Sequence, residues 1–98
     1  MNNEQSFSSN KIAIESLSMD LLRIALGYHR GSIKMAKRFS EESLKRVDEI
    51  NSSEVKPYFA KILNSIKNSL AKVDEDRIAE DALMYSTLCK NYAKKFFR

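Results

Sequence analysis

Gly27-Tyr28-His29-Arg30-Gly31 holds both glycines of the chain, and its reading decides the fold. As a turn, the stretch parts two helices. As a helix, it joins residues 11–50, from Lys11 to Ile50, into one rod of about 60 Å at ~1.5 Å per residue. Upstream, Ile14, Leu17, Leu21, Ile24 and Tyr28 step by three and four and share one helix face. Ile12, Ala13, Leu22, Ala25 and Leu26 widen it. Downstream, Ile33, Ala36, Phe39, Leu44, Val47 and Ile50 again fit a helix. Two interior glycines cost about 1 kcal/mol each against alanine, which argues for a turn. Tyr28, His29 and Arg30 are poor turn formers, which argues against one. Tyr28, Gly31 and Met35 keep the apolar phase, and no Asn, Asp or Pro marks a turn, so the balance tips to the continuous helix.

Further along, Asn51-Ser52-Ser53 is the clearest break, a cluster of turn and capping residues predicted to lie outside any helix. Glu54 suits the first turn that follows, and Pro57 is tolerated there but no deeper. Val55, Phe59, Ile62, Ile66, Leu70 and Val73 form the next apolar face. The acids Asp74, Glu75 and Asp76 suit a helix start. Ile78, Ala82, Tyr85, Cys89, Tyr92 and Phe96 then alternate steps of four and three. The apolar phase jumps by five between Val73 and Ile78, which separates the last two helices.

The expected class is all-α, an antiparallel bundle of three or four helices. It is either a long first helix over residues 11–50 with two shorter helices, or an up-down four-helix bundle. Composition agrees, because two Gly and one Pro in 98 residues cannot supply the turns of a β-sandwich or barrel. Residues 1–10 are polar and read as a disordered tail, with Ser9 or Asn10 capping the helix behind it. Residues 11–98 read as one domain. The first ten residues lack the basic and apolar parts of a signal peptide, and no apolar run reaches the ~18 residues of a membrane span. The expected location is therefore cytoplasmic, with no membrane partner.

Chemistry-bearing motifs are few. Cys89, the single cysteine, falls on the last helix's apolar stripe and reads as core. The carboxylates cluster at helix starts and polar faces, without the Glu-x-x-His of a bundle metal site. No phosphate loop or zinc spacing is present. No catalytic, cofactor-binding or metal-ligating residue is therefore assigned, no small-molecule substrate is inferred, and the chain reads as non-enzymatic. His29 is the only histidine. Arg23 and His29, with five residues between them, are similar to the loose Arg-x(4–6)-His pattern of HEPN-type RNases, small helical bundles that often dimerise to pair two such motifs. That resemblance implies RNA cleavage at His29. It covers two residues, with Ile24 where the family usually has a polar residue, and the motif lies early in the chain. His29 with Gly31 and Ser32 also resembles the phosphorylatable helix of histidine phosphotransfer domains, although the Lys-Gly pair of that family is not kept.

The formal net charge is +4 and it is uneven. Between residues 51 and 73, Lys56, Lys61, Lys67 and Lys72 face Glu54 alone. Arg30, Lys34, Lys37 and Lys45 fall at near-helical steps and can form a stripe. With Lys61 and Lys67 they are the candidate contacts for nucleic acid, whose binding depends on clustered Lys and Arg. Tyr92, Phe96 and Phe97 beside Lys94, Lys95 and Arg98 can stack on bases or dock the last turn on the core. Against a binding stripe, Glu41 with Lys45 and Glu42 with Arg46 are pairs that support an exposed helix. The favoured reading is a protein-interaction or assembly module that self-associates as a homodimer, with a nucleic-acid-binding module as the alternative. Gly27 and Gly31 are the candidate helix-crossing or hinge positions.

Overall fold

The computed structural model describes residues 3–71 and 75–96, with side chains described for 10–71 and 77–96. Four helices follow one another: α1 Asn3–His29, α2 Ile33–Glu49, α3 Pro57–Leu70 and α4 Glu75–Phe96. Lys72, Val73 and Asp74, where the phase jump was read, lie outside the described residues, as do Phe97 and Arg98.

The glycine stretch ends a helix, so the expected continuous rod over residues 11–50 is corrected to two helices. Gly31 has φ +76°, a left-handed conformation that costs a Cβ-bearing residue about 1–2 kcal/mol and glycine nothing. Around it the Ser32 N–H donates to the Gly27 carbonyl at 2.8 Å and the Gly31 N–H to the Tyr28 carbonyl at 3.1 Å. That pair of bonds is the Schellman closure of a helix C-terminus. Ser32 then caps α2, its side chain accepting from the Met35 N–H at 3.4 Å. Tyr28 and Met35 kept the apolar phase because both are half-buried, one on each of two antiparallel helices. Gly27 lies inside α1 at the crossing with α2. A Cβ there would stand 3.0 Å from the Ala36 nitrogen and 3.2 Å from its Cα. The crossing assigned to this pair thus belongs to Gly27 and the hinge to Gly31.

The second connection departs from expectation in a smaller way. No α-helix crosses Asn51–Ser53, but Ser52–Glu54 make a single 3-10 turn. The Asn51 side chain accepts from the Ser53 N–H at 3.1 Å. Pro57 opens α3, where its missing N–H would have had no helical partner.

The α1 backbone is helical from Asn3, so Asn10 sits inside the helix and caps nothing. It is buried, and it reaches the α2–α3 connection. Its Oδ1 accepts from the Asn51 N–H at 3.0 Å, and its Nδ2 donates to the Asn51 carbonyl and to Glu54 Oε2, each at 3.4 Å. The start of α1 is thereby tied to the end of α2.

The helices pack up-down-up-down, with α1 lying along α2 on one side and α4 on the other, and α3 contacting α2 and α4. The core joins Ile14, Leu17, Leu21 and Ile24 of α1 to Val47, Phe59, Leu63, Ile66, Ile78, Ala82, Cys89 and Tyr92, a set drawn from all four helices. Tyr92 stacks on Phe59 with ring centroids 3.9 Å apart, and its hydroxyl accepts from the Lys56 N–H at 3.0 Å. That contact holds the start of α3, which has no side-chain cap of its own. Between α1 and α4 the small residues Ser18 and Ser86 bond reciprocally. Ser18 Oγ donates to the Ser86 carbonyl at 2.9 Å and Ser86 Oγ to the Ser18 carbonyl at 2.7 Å. Each such bond contributes about 1 kcal/mol and draws the two backbones together.

Candidate functional site

Groups capable of covalent or proton-transfer chemistry are kept apart in the bundle. Cys89 is fully buried, and burial pushes its thiol up to about 12, so the reactive thiolate does not form at neutral pH. His29 is exposed in the last turn of α1. Arg23, six residues earlier, stands roughly 120° away around the helix. It turns toward α2, pairing with Asp20 at 3.3 Å and lying over the Phe39 ring at 5.2 Å. His29 instead borders the groove between α1 and α4 with Leu26 and Ala79. The fold therefore does not bring Arg23 and His29 together. Among the described residues no three His, Cys, Asp or Glu side chains converge to hold a metal ion, and no helix is long and apolar enough to cross a membrane.

One charged group is buried between α1 and α2. Asp20 has its carboxyl raised above the ordinary 3.8 by desolvation, against the opposing pull of Arg23 and Arg46. Arg46 Nε is 4.0 Å from Asp20, and its Nη1 is 3.1 Å from Glu49. This node positions α2 on α1, and the buried Arg46 Nε has no hydrogen-bond partner in it.

The six basic candidates are scattered. Arg30, Lys34 and Lys37 are exposed together where α1 turns into α2. Lys45 lies eleven residues beyond Lys34, about 16 Å along the helix, and stands 3.8 Å from Glu42. Lys61 and Lys67 are on α3, and Lys67 is paired with Asp48 at 3.0 Å. Glu41 stands four residues from both Lys37 and Lys45 and interrupts the stripe. Among the described residues, Tyr92 and Phe96 do not form a stacking platform. Tyr92 is buried against Phe59, and Phe96 is half-buried with Lys56 and Lys95 above its ring.

The surface that stands out is apolar. Along the outward side of α1, Ile12 is 64% exposed and Met19, seven residues on, 47%. Across the seam, Leu83 of α4 is 51% exposed. Two hollows run end to end between these helices and meet at Leu22. One, of about 500 Å³, is lined by Met19, Leu22 and Ala93 over a floor of Ser18 and Ser86. The other, of about 730 Å³, is lined by Leu22, Ala25, Leu26, Ile33 and Leu83. The floor serines use their hydroxyls on each other, so the groove presents little unmet polarity. Lys11, Lys90 and Lys94 stand with Glu15 at one end, and Glu80 stands with His29 at the other.

Sequence reasoning did not single out this face. Ile12, Leu22 and Leu26 read as a broadening of the core stripe, and Met19 and Leu83 were not assigned. The signal was present in the spacing of Ile12, Met19, Leu22 and Leu26, at steps of seven, three and four. That is a second apolar line beside the first. Comparison with protein-family models, with curated proteins and with solved structures finds no match to this chain.

Proposed function

We propose that the chain is a small non-enzymatic assembly module that pairs with a second copy of itself through the α1/α4 face. The observation that carries the reading is the double apolar line of α1. One line is consumed by the core; of the other, Ile12 and Met19 are exposed, Leu22 and Leu26 are half-buried, and Met19, Leu22 and Leu26 line the groove with Leu83. Scattered apolar residues are ordinary on a protein surface, whereas a contiguous stretch marks an interaction site. A side of the molecule measuring 44 by 20 Å has room for the roughly 800 Å² per partner of a standard interface.

Light scattering across a concentration series tests the reading. The expected wild-type mass is that of a dimer. Met19→Glu/Leu83→Glu is expected to be monomeric while keeping its helical circular dichroism, since both positions are exposed within the monomer. A wild type that stays monomeric up to millimolar concentration, or a dimer indifferent to the double substitution, refutes it.

A further inference from the structure

The positive charge of this protein is concentrated in one corner. Residues 21–40 carry Arg23, Arg30, Lys34, Lys37 and Arg38 and no Asp or Glu, a formal +5 that leaves −1 for the rest of a chain of net +4. The fold doubles this stretch back on itself, because α1 ends at His29, Gly31 reverses the backbone and α2 begins at Ile33. Arg23 is paired with Asp20. Arg30, Lys34, Lys37 and Arg38 are all exposed, and among the described residues none of the four lies within ion-pair reach of a carboxylate. Lys34, Lys37 and Arg38 fall within about 6 Å along the α2 axis. Lys34 also stands in the first turn of α2, where the macrodipole disfavours a cation and no acid offsets it. The neighbouring acids bound this corner. Glu41 lies one turn beyond Lys37 on α2. Glu80 borders the groove beside His29, and α4, which carries Glu80 and Asp81, sits diagonal to α2 across the bundle.

We propose that this corner is a docking site for the sugar-phosphate backbone of a nucleic-acid duplex, bound without regard to sequence. Counterion release lets cations alone supply affinity for such a polyanion. A protein interface needs large anchors at a desolvated centre, and a lipid surface holds a polybasic patch stably only with a second, apolar signal. None of the exposed large apolar side chains lies between residues 21 and 40. A duplex fits better than a single strand, whose unstacked bases want aromatic platforms. Tyr28 is half-buried, and Phe39 is half-buried with Arg23 and Arg38 over its ring. The proposal does not rest on self-pairing, which uses the other side of α1.

Fluorescence anisotropy of labelled DNA duplexes of about 20 base pairs, in two unrelated sequences, tests it as potassium chloride rises from about 50 to about 200 mM. The expected dissociation constant at low salt lies between about 1 and 100 μM and is alike for both sequences. Four phosphate contacts predict a slope of about −3 to −4 for log affinity against log salt. Lys34→Glu/Lys37→Glu is expected to weaken binding more than about tenfold and to flatten the slope by about two. Lys45→Glu/Lys61→Glu makes the same change in net charge away from the corner, and is expected to weaken binding less than about threefold and to keep the slope. No binding at low salt overturns the proposal. Equal losses in the two double variants show attraction by net charge alone and overturn the corner as the site. Sedimentation with phosphatidylserine vesicles by a protein that ignores the duplex gives the corner to lipid and overturns the nucleic-acid partner. All four substituted positions are exposed, and a thermal melt of each variant verifies that the fold is retained.

Discussion

Gly31→Ala isolates a backbone term with no packing term beside it. A Cβ added at Gly31 has nothing within 4 Å, so the methyl group meets open space. What changes is the cost of holding φ at +76°, about 1–2 kcal/mol for an L-residue. The same substitution would gain about 0.4–1 kcal/mol by restricting the unfolded chain if the native conformation suited alanine, and here it does not. The expected net loss is about 1 kcal/mol, or about 4–8 °C in melting temperature for a domain of this size. Gly31→Asn is the internal control, since asparagine tolerates the left-handed region better than alanine does, and it should melt between the two. Circular dichroism melts of the three proteins at one concentration settle the order. A Gly31→Ala protein that melts at or above the wild type would show that residues 27–33 can be helical, and would return the fold to the single long first helix.

Gly27 tests packing in place of backbone. Gly27→Val must move the first turn of α2, because even a bare Cβ stands 3.0 Å from the Ala36 nitrogen, and an expected loss of about 1–3 kcal/mol is read from a urea midpoint. Asn10→Ala removes the three hydrogen bonds that Asn10 makes to Asn51 and Glu54, for an expected loss of about 1–2 kcal/mol; an unchanged melt would mean that the start of α1 is not docked. Asp20→Asn bears on pH. The raised carboxyl binds its proton more tightly when folded, so wild-type stability falls as pH rises from the ordinary 3.8 through the folded value and then levels. The asparagine variant should lack that decline and be no less stable at neutral pH, and denaturant midpoints across the acid range measure the difference.

Much of the interior was legible because core burial follows helical periodicity. Ile14, Leu17, Leu21 and Ile24 were read as one face, and all four are fully buried. Cys89 was read as core from its place on the stripe between Tyr85 and Tyr92. The glycine stretch was misjudged because phase alone cannot tell a straight helix from two antiparallel ones whose ends both face the core. The deciding sign was Gly31 followed by Ser32, a left-handed stop directly before a capping hydroxyl. Asn10 was misread because capping is a local property, whereas its partner at Asn51 is distant in sequence. The α1/α4 face was not assigned because periodicity reports which residues are apolar and not which of two apolar lines a neighbour will cover.

The placement of Cys89 has a use in kinetics. It is the chain's one thiol, it sits in the second half of α4 with no exposure, and burial holds it in the unreactive protonated form. An alkylating reagent in solution can reach it only after α4 has lifted away from α1 and α3. Its modification rate therefore counts opening events of the bundle, with no second cysteine to confuse the signal. Since pairing on the α1/α4 face would clamp the same two helices, the labelling rate of this single sulfur should slow as protein concentration rises. A chemical clock for the opening of the bundle is thus already present in the native sequence.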